Sequence, residues 1–174
     1  TATMLSGETA VGKYPVESIK IMSKISTVTI NNEDIYKRKI KPATETIGMA
    51  NTIKYLSYSL PITKIITLTI SGYAARIISS QMLQQPIIAV SNNKNVTRSF
   101  NIYSGTTGVF VKTEFYKESL KHIPICLNFL WKNAHISKKD MILLIALGYP
   151  GSGRRMNTLQ THYVKDLIKI FSWK

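Results

Sequence analysis

The chain has 174 residues, 44% of them hydrophobic, with 23 Lys and Arg against 9 Asp and Glu and a formal net charge of +14. That length allows one hydrophobic core plus a piece of a second, and it is too short for a (β/α)8 barrel, which needs about 250 residues. The single Cys126 has no disulfide partner, no apolar run reaches the ~18 residues of a membrane span, and no signal peptide opens the chain, so a soluble, cytoplasmic protein without a membrane partner is expected.

The opening residues Thr3, Met4 and Leu5 read as the end of a buried strand, Ser6 and Gly7 as a tight turn, and Pro15 with Glu17 as the start of a helix. On that helix Val16, Ile19, Ile21, Met22 and Ile25 form the inward stripe, with Lys20 and Lys24 outward. In a parallel α/β barrel, catalytic groups sit at the C-terminal ends of strands, which is where Ser6 stands. Serine is equally a common helix cap. Thr1 is not an initiator and the opening is in mid-strand, so the chain reads as cut from a longer protein. Asn31 to Pro42, polar, charged and closed by proline, is a linker. The expected organisation is therefore residues 1–30, a linker over 31–42, and a domain over 43–174.

Beyond the linker the hydrophobic period alternates. Thr44 to Ser59 is helical, with Thr44 as cap and Ile47, Met49, Ala50, Ile53, Tyr55 and Leu56 at helical spacing. Lys64 to Thr69 is a β-branched strand. Gly72 to Leu83 is a helix burying Ala74, Ala75, Ile77, Ile78 and Met82, and Pro86 to Val90 is a second apolar strand. A short helix follows with Val96, Phe100 and Tyr103, then a third strand over Gly105 to Val111. Glu114 to Asn133 reads as a long helix in which Pro124 implies a kink or a late start. Met141 to Leu147 is the fourth strand, and Met156 to Val164 alternates as an edge strand. The fold class is α/β: a small, doubly wound, mostly parallel five-stranded sheet with helices on both faces.

Two sets of residues carry a family resemblance. Met4-Leu5-Ser6-Gly7-Glu8-Thr9-Ala10-Val11-Gly12-Lys13-Tyr14-Pro15-Val16-Glu17 resembles the eighth strand and turn of the pyruvate kinase barrel. Ile65 to Ala75, Pro86 to Ser91 and Ile102 to Val109 resemble the first three strands and turns of that family's C-terminal domain. The resemblance implies that residues 1–30 end a catalytic barrel and 43–174 form the C-terminal α/β domain. The activity it implies is phosphoryl transfer from phosphoenolpyruvate to ADP, giving pyruvate and ATP. It implies Mg²⁺ and K⁺ as cofactors, with ligands outside this chain, so that the fragment alone is inactive. It also implies a homotetramer whose C-terminal domains pair through Thr44 to Ser59 and Asn157 to Val164, with Ile53, Tyr55 and Leu56 on an exposed face. The weakest stretches are the linker and the tail Lys165 to Lys174, longer than the family usually has.

No residue set in this chain amounts to an active site. His122, His135 and His162 are too dispersed for a metal set and read as surface or satisfied helix residues, while Cys126 reads as core. By resemblance, Ser6 is the candidate catalytic residue, a relay that helps protonate the enolate. The better local site is the turn Thr69, Ile70, Ser71, Gly72, Tyr73 and Ala74, where a strand passes to a helix, with Gly151, Ser152, Gly153, Arg154 and Arg155 in the loop after the fourth strand. Together they resemble the family's effector pocket for a sugar phosphate or nucleotide monophosphate; an ordinary βα turn explains them equally. Ile70 and Ala74 depart from the polar residues common there, a loss that Arg154 or Arg155 can offset.

The alternative function is a free-standing, non-catalytic α/β module that binds a phosphorylated metabolite. Lysines scattered among Ile and Asn form no sustained basic helix, so no specific nucleic-acid partner is expected.

Overall fold

In the computed structural model, residues 3–30, 45–115, 119–146 and 156–173 are described, and the chain divides into two units, Thr1–Lys41 and Pro42–Lys174. In the first unit the short helix α1 (Gly7–Ala10) precedes α2 (Pro15–Ile30), which opens on proline at the position that needs no amide donor. Thr3 to Ser6 form no strand. The stripe expected to face inward is exposed instead: Val16 55%, Ile19 56%, Ile21 59% and Ile25 60%. Among the described residues of this unit only four-residue α1 stands beside the 16-residue helix, too little to cover its apolar face.

The second unit runs α3 (Glu45–Ser59), β1 (Lys64–Leu68), α4 (Tyr73–Ser79), β2 (Ile87–Ser91), α5 (Lys94–Ser99), a 3-10 turn (Phe100–Ile102), β3 (Thr106–Phe110), α6 (His122–Lys132), β4 (Met141–Ala146), β5 (Thr158–Tyr163) and α7 (Val164–Phe171). The strands form one sheet in the order β3-β2-β1-β4-β5. β1 pairs in parallel with β2 and β4, β2 in parallel with β3, and β5 alone runs antiparallel, against β4.

Strand alternation divides the core between the two faces of the sheet. Ile66, Leu68, Ile88, Val90, Ile142 and Leu144 pack with Ile123, Cys126, Leu127 and Leu130 of α6 and with Val164 and Leu167 of α7. Ile65, Ile87, Leu143 and Ile145 pack on the other face with Ile53 of α3 and with Ala74 and Ile78 of α4. All six residues of β4 are buried, which is why a continuous Met-Ile-Leu-Leu-Ile-Ala run is needed there.

Several boundaries differ from the sequence expectation. The helix expected from Glu114 starts at His122, so Pro124 falls in its first turn, where proline is tolerated. α4 ends at Ser79, and Met82, expected inside, takes a left-handed conformation and is 40% exposed. Thr44 lies outside the described residues. Ile53, expected on an exposed face of α3, is fully buried, and Leu56 packs against the same core, so Tyr55 at 70% exposure is what that face presents. The tail forms α7, whose Val164, Leu167 and Ile168 pack on the core together with Trp173 just beyond the helix. Among the described residues no helix is long and apolar enough to cross a membrane.

The edge of the sheet where β1 and β4 begin is pinned by Asp140. Its carboxylate accepts from Thr63 Oγ1 at 2.8 Å, Ser137 N at 2.6 Å and Ser137 Oγ at 2.9 Å, and pairs with Lys64 Nζ at 3.2 Å. Lys64 also donates to His135 O at 2.8 Å, and the Asp140 carbonyl accepts from Val164 N at 3.0 Å. Burial pushes the Asp140 pKa up, but the bonds from Ser137, Thr63 and Lys64 together outweigh it and hold the carboxyl below its ordinary value.

Asp140→Ala strands Lys64 and two hydroxyls, and we expect a loss of about 2–3 kcal/mol in urea unfolding. The depressed pKa fixes the sign with pH: this contribution is present above the ordinary carboxylate range and disappears as pH falls through the folded pKa. The difference between wild type and Asp140→Ala should therefore shrink in acid; a constant difference would contradict the ionic anchor.

Candidate functional site

β1, β2 and β3 all deliver their following segments to the same edge of the sheet. At that edge β1 stands between β2 and β4, so the chain's connections leave β1 and return to it from opposite sides. Such a switch point opens a crevice outside the strand ends, the usual ligand position in open α/β sheets. The turn from Thr69 to Tyr73 lies directly there.

The turn is built from its own short polar side chains. Thr69 is buried, its amide donates to Val90 O at 3.0 Å, and its Oγ1 accepts from Gly72 N at 3.0 Å. Ser71 is exposed and its Oγ accepts from Tyr73 N at 3.5 Å. Gly72 has φ +81° and sits at the start of α4 without a side-chain cap. A Cβ there would lie 2.7 Å from Phe100 Cε1. Two constraints thus meet on one glycine: backbone handedness and the close approach of an aromatic ring.

Phe100 opens the 3-10 turn that follows α5. It is fully buried, clusters with Ala75 and Ala89, and lies 6.3 Å from the Tyr103 ring. Ser91 Oγ donates to Ile70 O at 3.5 Å and accepts from Asn93 N at 3.2 Å. Asn93 Oδ1 caps α5, accepting from Asn95 N at 2.9 Å and Val96 N at 3.2 Å. The β1–α4 and β2–α5 turns therefore hold each other.

Of the residues expected at this site, the structure brings together Thr69, Ser71, Gly72 and Tyr73. Ala74 is buried in the core rather than on the turn surface. Ile70 and Tyr73 are 47% and 41% exposed, and the Arg76 guanidinium lies 5.6 Å from the Tyr73 ring centroid. The sequence reading passed over Arg76; its i, i+3 spacing from Tyr73 is the signal that finds it. Gly151, Ser152, Gly153, Arg154 and Arg155 lie outside the described residues. What the described turn offers is an exposed hydroxyl, a guanidinium and an apolar rim.

Ser6 belongs to the first unit. It is exposed, its amide donates to Glu8 Oε2 at 3.0 Å, and its carbonyl accepts from Ala10 N at 3.1 Å. The local amides, of Glu8 itself and of Ser6, hold the Glu8 carboxyl below its usual range. The side-chain oxygen of Ser6 does not cap α1.

The histidines stay apart, and among the described residues no group of three or more His, Cys, Asp or Glu could hold a metal ion. His122 differs from expectation, being neither on the surface nor satisfied. It is 3% exposed, its ring lies 5.1 Å from Phe115, and Nδ1 has no hydrogen-bond partner. Burial lowers its pKa against a smaller opposing contribution from the Ser119 backbone. His162 contacts Gln160 Oε1 at 3.0 Å. Burial pushes the Cys126 thiol up to about 12, which leaves it a packing residue rather than a nucleophile.

A family model described as "Pyruvate kinase, alpha/beta domain" matches residues 47–162. The chain is 28% identical to the pyruvate kinase of Geobacillus stearothermophilus, over 96% of this chain and 29% of that protein. It is 28% identical to that of Methanocaldococcus jannaschii, over 92% and 35%, and 29% identical to that of Buchnera aphidicola, over 90% and 33%. A solved pyruvate kinase from Cryptosporidium parvum superposes with a TM-score of 0.64 at 23% identity, over 92% of this chain and 32% of the other, a likeness of fold. The chain thus spans about a third of the length of the relatives it matches.

Gly72→Ala combines left-handed strain with the Phe100 contact, and we expect it to cost roughly 2–4 kcal/mol. Gly105, at φ +63° with open space around it, is the control; Gly105→Ala should cost about 1 kcal/mol from strain alone. Equal losses in paired urea melts would show that the Phe100 contact does not constrain the turn.

Proposed function

This chain belongs to the pyruvate kinase alpha/beta domain family, and we propose that it is the C-terminal portion of a longer pyruvate kinase acting in the cytoplasm. In this reading the whole enzyme transfers phosphate from phosphoenolpyruvate to ADP, giving pyruvate and ATP. Residues 1–30 close the catalytic barrel, 31–42 link, and 43–174 regulate and assemble. The family match across the β1–α4 turn, where β1 stands between β2 and β4, is the observation that carries the proposal.

Mg²⁺ and K⁺ would neutralise phosphate charge when bound. Among the described residues no group of three or more His, Cys, Asp or Glu could hold a metal ion, and in this reading the ligands come from the rest of the longer protein. Ser6 takes part as a proton relay. An alcohol is too weak an acid to protonate an enolate alone, so it passes a proton from water or a second group. Its exposed position at the start of α1 leaves room for that second group.

Thr69, Ser71, Gly72 and Tyr73 form the described half of an effector site, and Ala74 contributes backbone only. Arg154 and Arg155 supply the opposing charge, each able to hold a phosphate with two parallel N–H donors. The ligand is a sugar phosphate or a nucleotide monophosphate. Homotetramer pairing uses α3, through Tyr55, and the outer edge of β5.

In the full enzyme Ser6→Ala should lower kcat by roughly 10- to 100-fold with little change in phosphoenolpyruvate KM, as steady-state kinetics would read; an unchanged kcat makes Ser6 structural. A hexose phosphate or adenosine monophosphate should bind in calorimetry and lower the KM for phosphoenolpyruvate. Arg154→Ala with Arg155→Ala should abolish that activation and leave the basal rate, a coupling of about 1–3 kcal/mol being usual for allostery. Absence of saturable heat with either ligand at millimolar concentration rejects the effector site.

A further inference from the structure

His122 is buried at the first position of α6, and the site described above makes no use of it. Its ring lies 5.1 Å from that of Phe115 at an interplanar angle of 21°. Phe115 in turn packs on the core that Ile123, Cys126 and Leu127 of α6 help to form. Nδ1 has no hydrogen-bond partner. A neutral ring tolerates this at modest cost, but an imidazolium carries a proton on both nitrogens, and Nδ1–H would then be buried without an acceptor. The start of a helix adds to the penalty, because unpaired amides there present partial positive charge. The Phe115 face attracts a cation, though by less than the loss of water costs it. Burial accordingly holds the His122 pKa below its ordinary value, against a smaller opposing contribution from the Ser119 backbone.

Among the described residues no carboxylate pairs with this ring. Lys112, Glu114 and Lys121, which flank it in the chain, are exposed, as is Lys132 at the far end of α6. β2, β3 and β4 carry no ionisable side chain, and Lys64 of β1 is paired with Asp140. On α7, which shares the core, Lys165, Asp166 and Lys169 all face solvent. Cys126, one turn along α6, stays a neutral thiol. We propose that His122 is an acid-released latch: neutral, it holds Phe115 and the first turn of α6 on the core, and protonated, it leaves for water and that turn opens. The inference stands on the fold and does not depend on the proposed activity. The opening falls at the candidate site's edge of the sheet, because β3 delivers its following segment there and α6 runs back from it to the start of β4. The sign follows from the lowered pKa of the closed state. The latch is fully held above the ordinary histidine range of about 6.5, and opening becomes easier by at most about tenfold per pH unit as pH falls from there to the closed-state pKa.

Hydrogen exchange of the full protein, read by mass spectrometry and corrected for the intrinsic pH dependence of amide exchange, tests the latch. Between about pH 7.5 and about pH 5.5, protection of the amides of His122 to Leu127 should fall by roughly three- to tenfold, while that of β2 and β4 stays constant. His122→Phe keeps an aromatic ring of similar bulk and removes the titrating group, so the step with pH should vanish. His122→Gln is the second uncharged variant, to be read the same way if the phenylalanine does not fit. Protection at α6 that is equal at both pH values in the wild type overturns the proposal. So does a step that survives in either variant, since another group then titrates. An equal loss at β2 and β4 overturns it too, because acid would then be unfolding the whole domain rather than releasing one turn.

Discussion

The burial of β1, β2 and β4 on both faces is the constraint from which the rest follows. Every residue of β2 and β4 is buried, so neither face of the sheet can be left to solvent. A chain with this sheet must send helices to both sides, and the parallel connections through α4, α5 and α6 do so while returning each strand in the same direction. That geometry delivers three successive turns to one edge. At that edge loops rather than packed helices meet the strand ends, so backbone and hydroxyl groups are within reach of a ligand.

At that edge the fold leaves little slack. Gly72 is required by a backbone handedness and by the Phe100 ring, and Phe100 is in turn fixed against Ala75 and Ala89. Ser91 joins the two turns through the Ile70 carbonyl. A ligand arriving at Ser71 and Tyr73 would therefore act on α4 and α5 together. A displacement of this turn is thus passed to packed elements rather than absorbed by a soft loop.

How much of this was legible in the sequence depends on whether a signal is local. β1, β2 and β4 were visible because continuous β-branched and apolar runs between glycines and prolines have few other uses. The site turn was legible for the same reason: Gly72 between a strand and a helix leaves a mark in sequence. Burial of individual helix residues was less so. Ile53 and Tyr55 lie two apart on α3, so one faces the core and the other solvent, and composition alone does not say which. The start of α6 was misplaced because Glu114 to Lys121 have good helical composition, and only Pro124 recorded the later boundary. His122 gave no warning, since nothing local announces that an imidazole will be buried beside Phe115 with one nitrogen unmatched.

The two faces of the sheet are covered by different means. Toward β1 and β2, α4 lies across the strands as a crossover helix and its cover is guaranteed by chain direction. Toward β4 the crossover helix α6 covers one face, but toward β5 no crossover exists, because β5 returns antiparallel. Further cover comes from outside the alternating pattern: α3 arrives from before the first strand, and α7 from after the last. Both are joined to the sheet at one end only, and both leave aromatic or aliphatic side chains in solvent. An antiparallel edge strand closes the βαβ series and simultaneously creates the one boundary that the series cannot cover by itself.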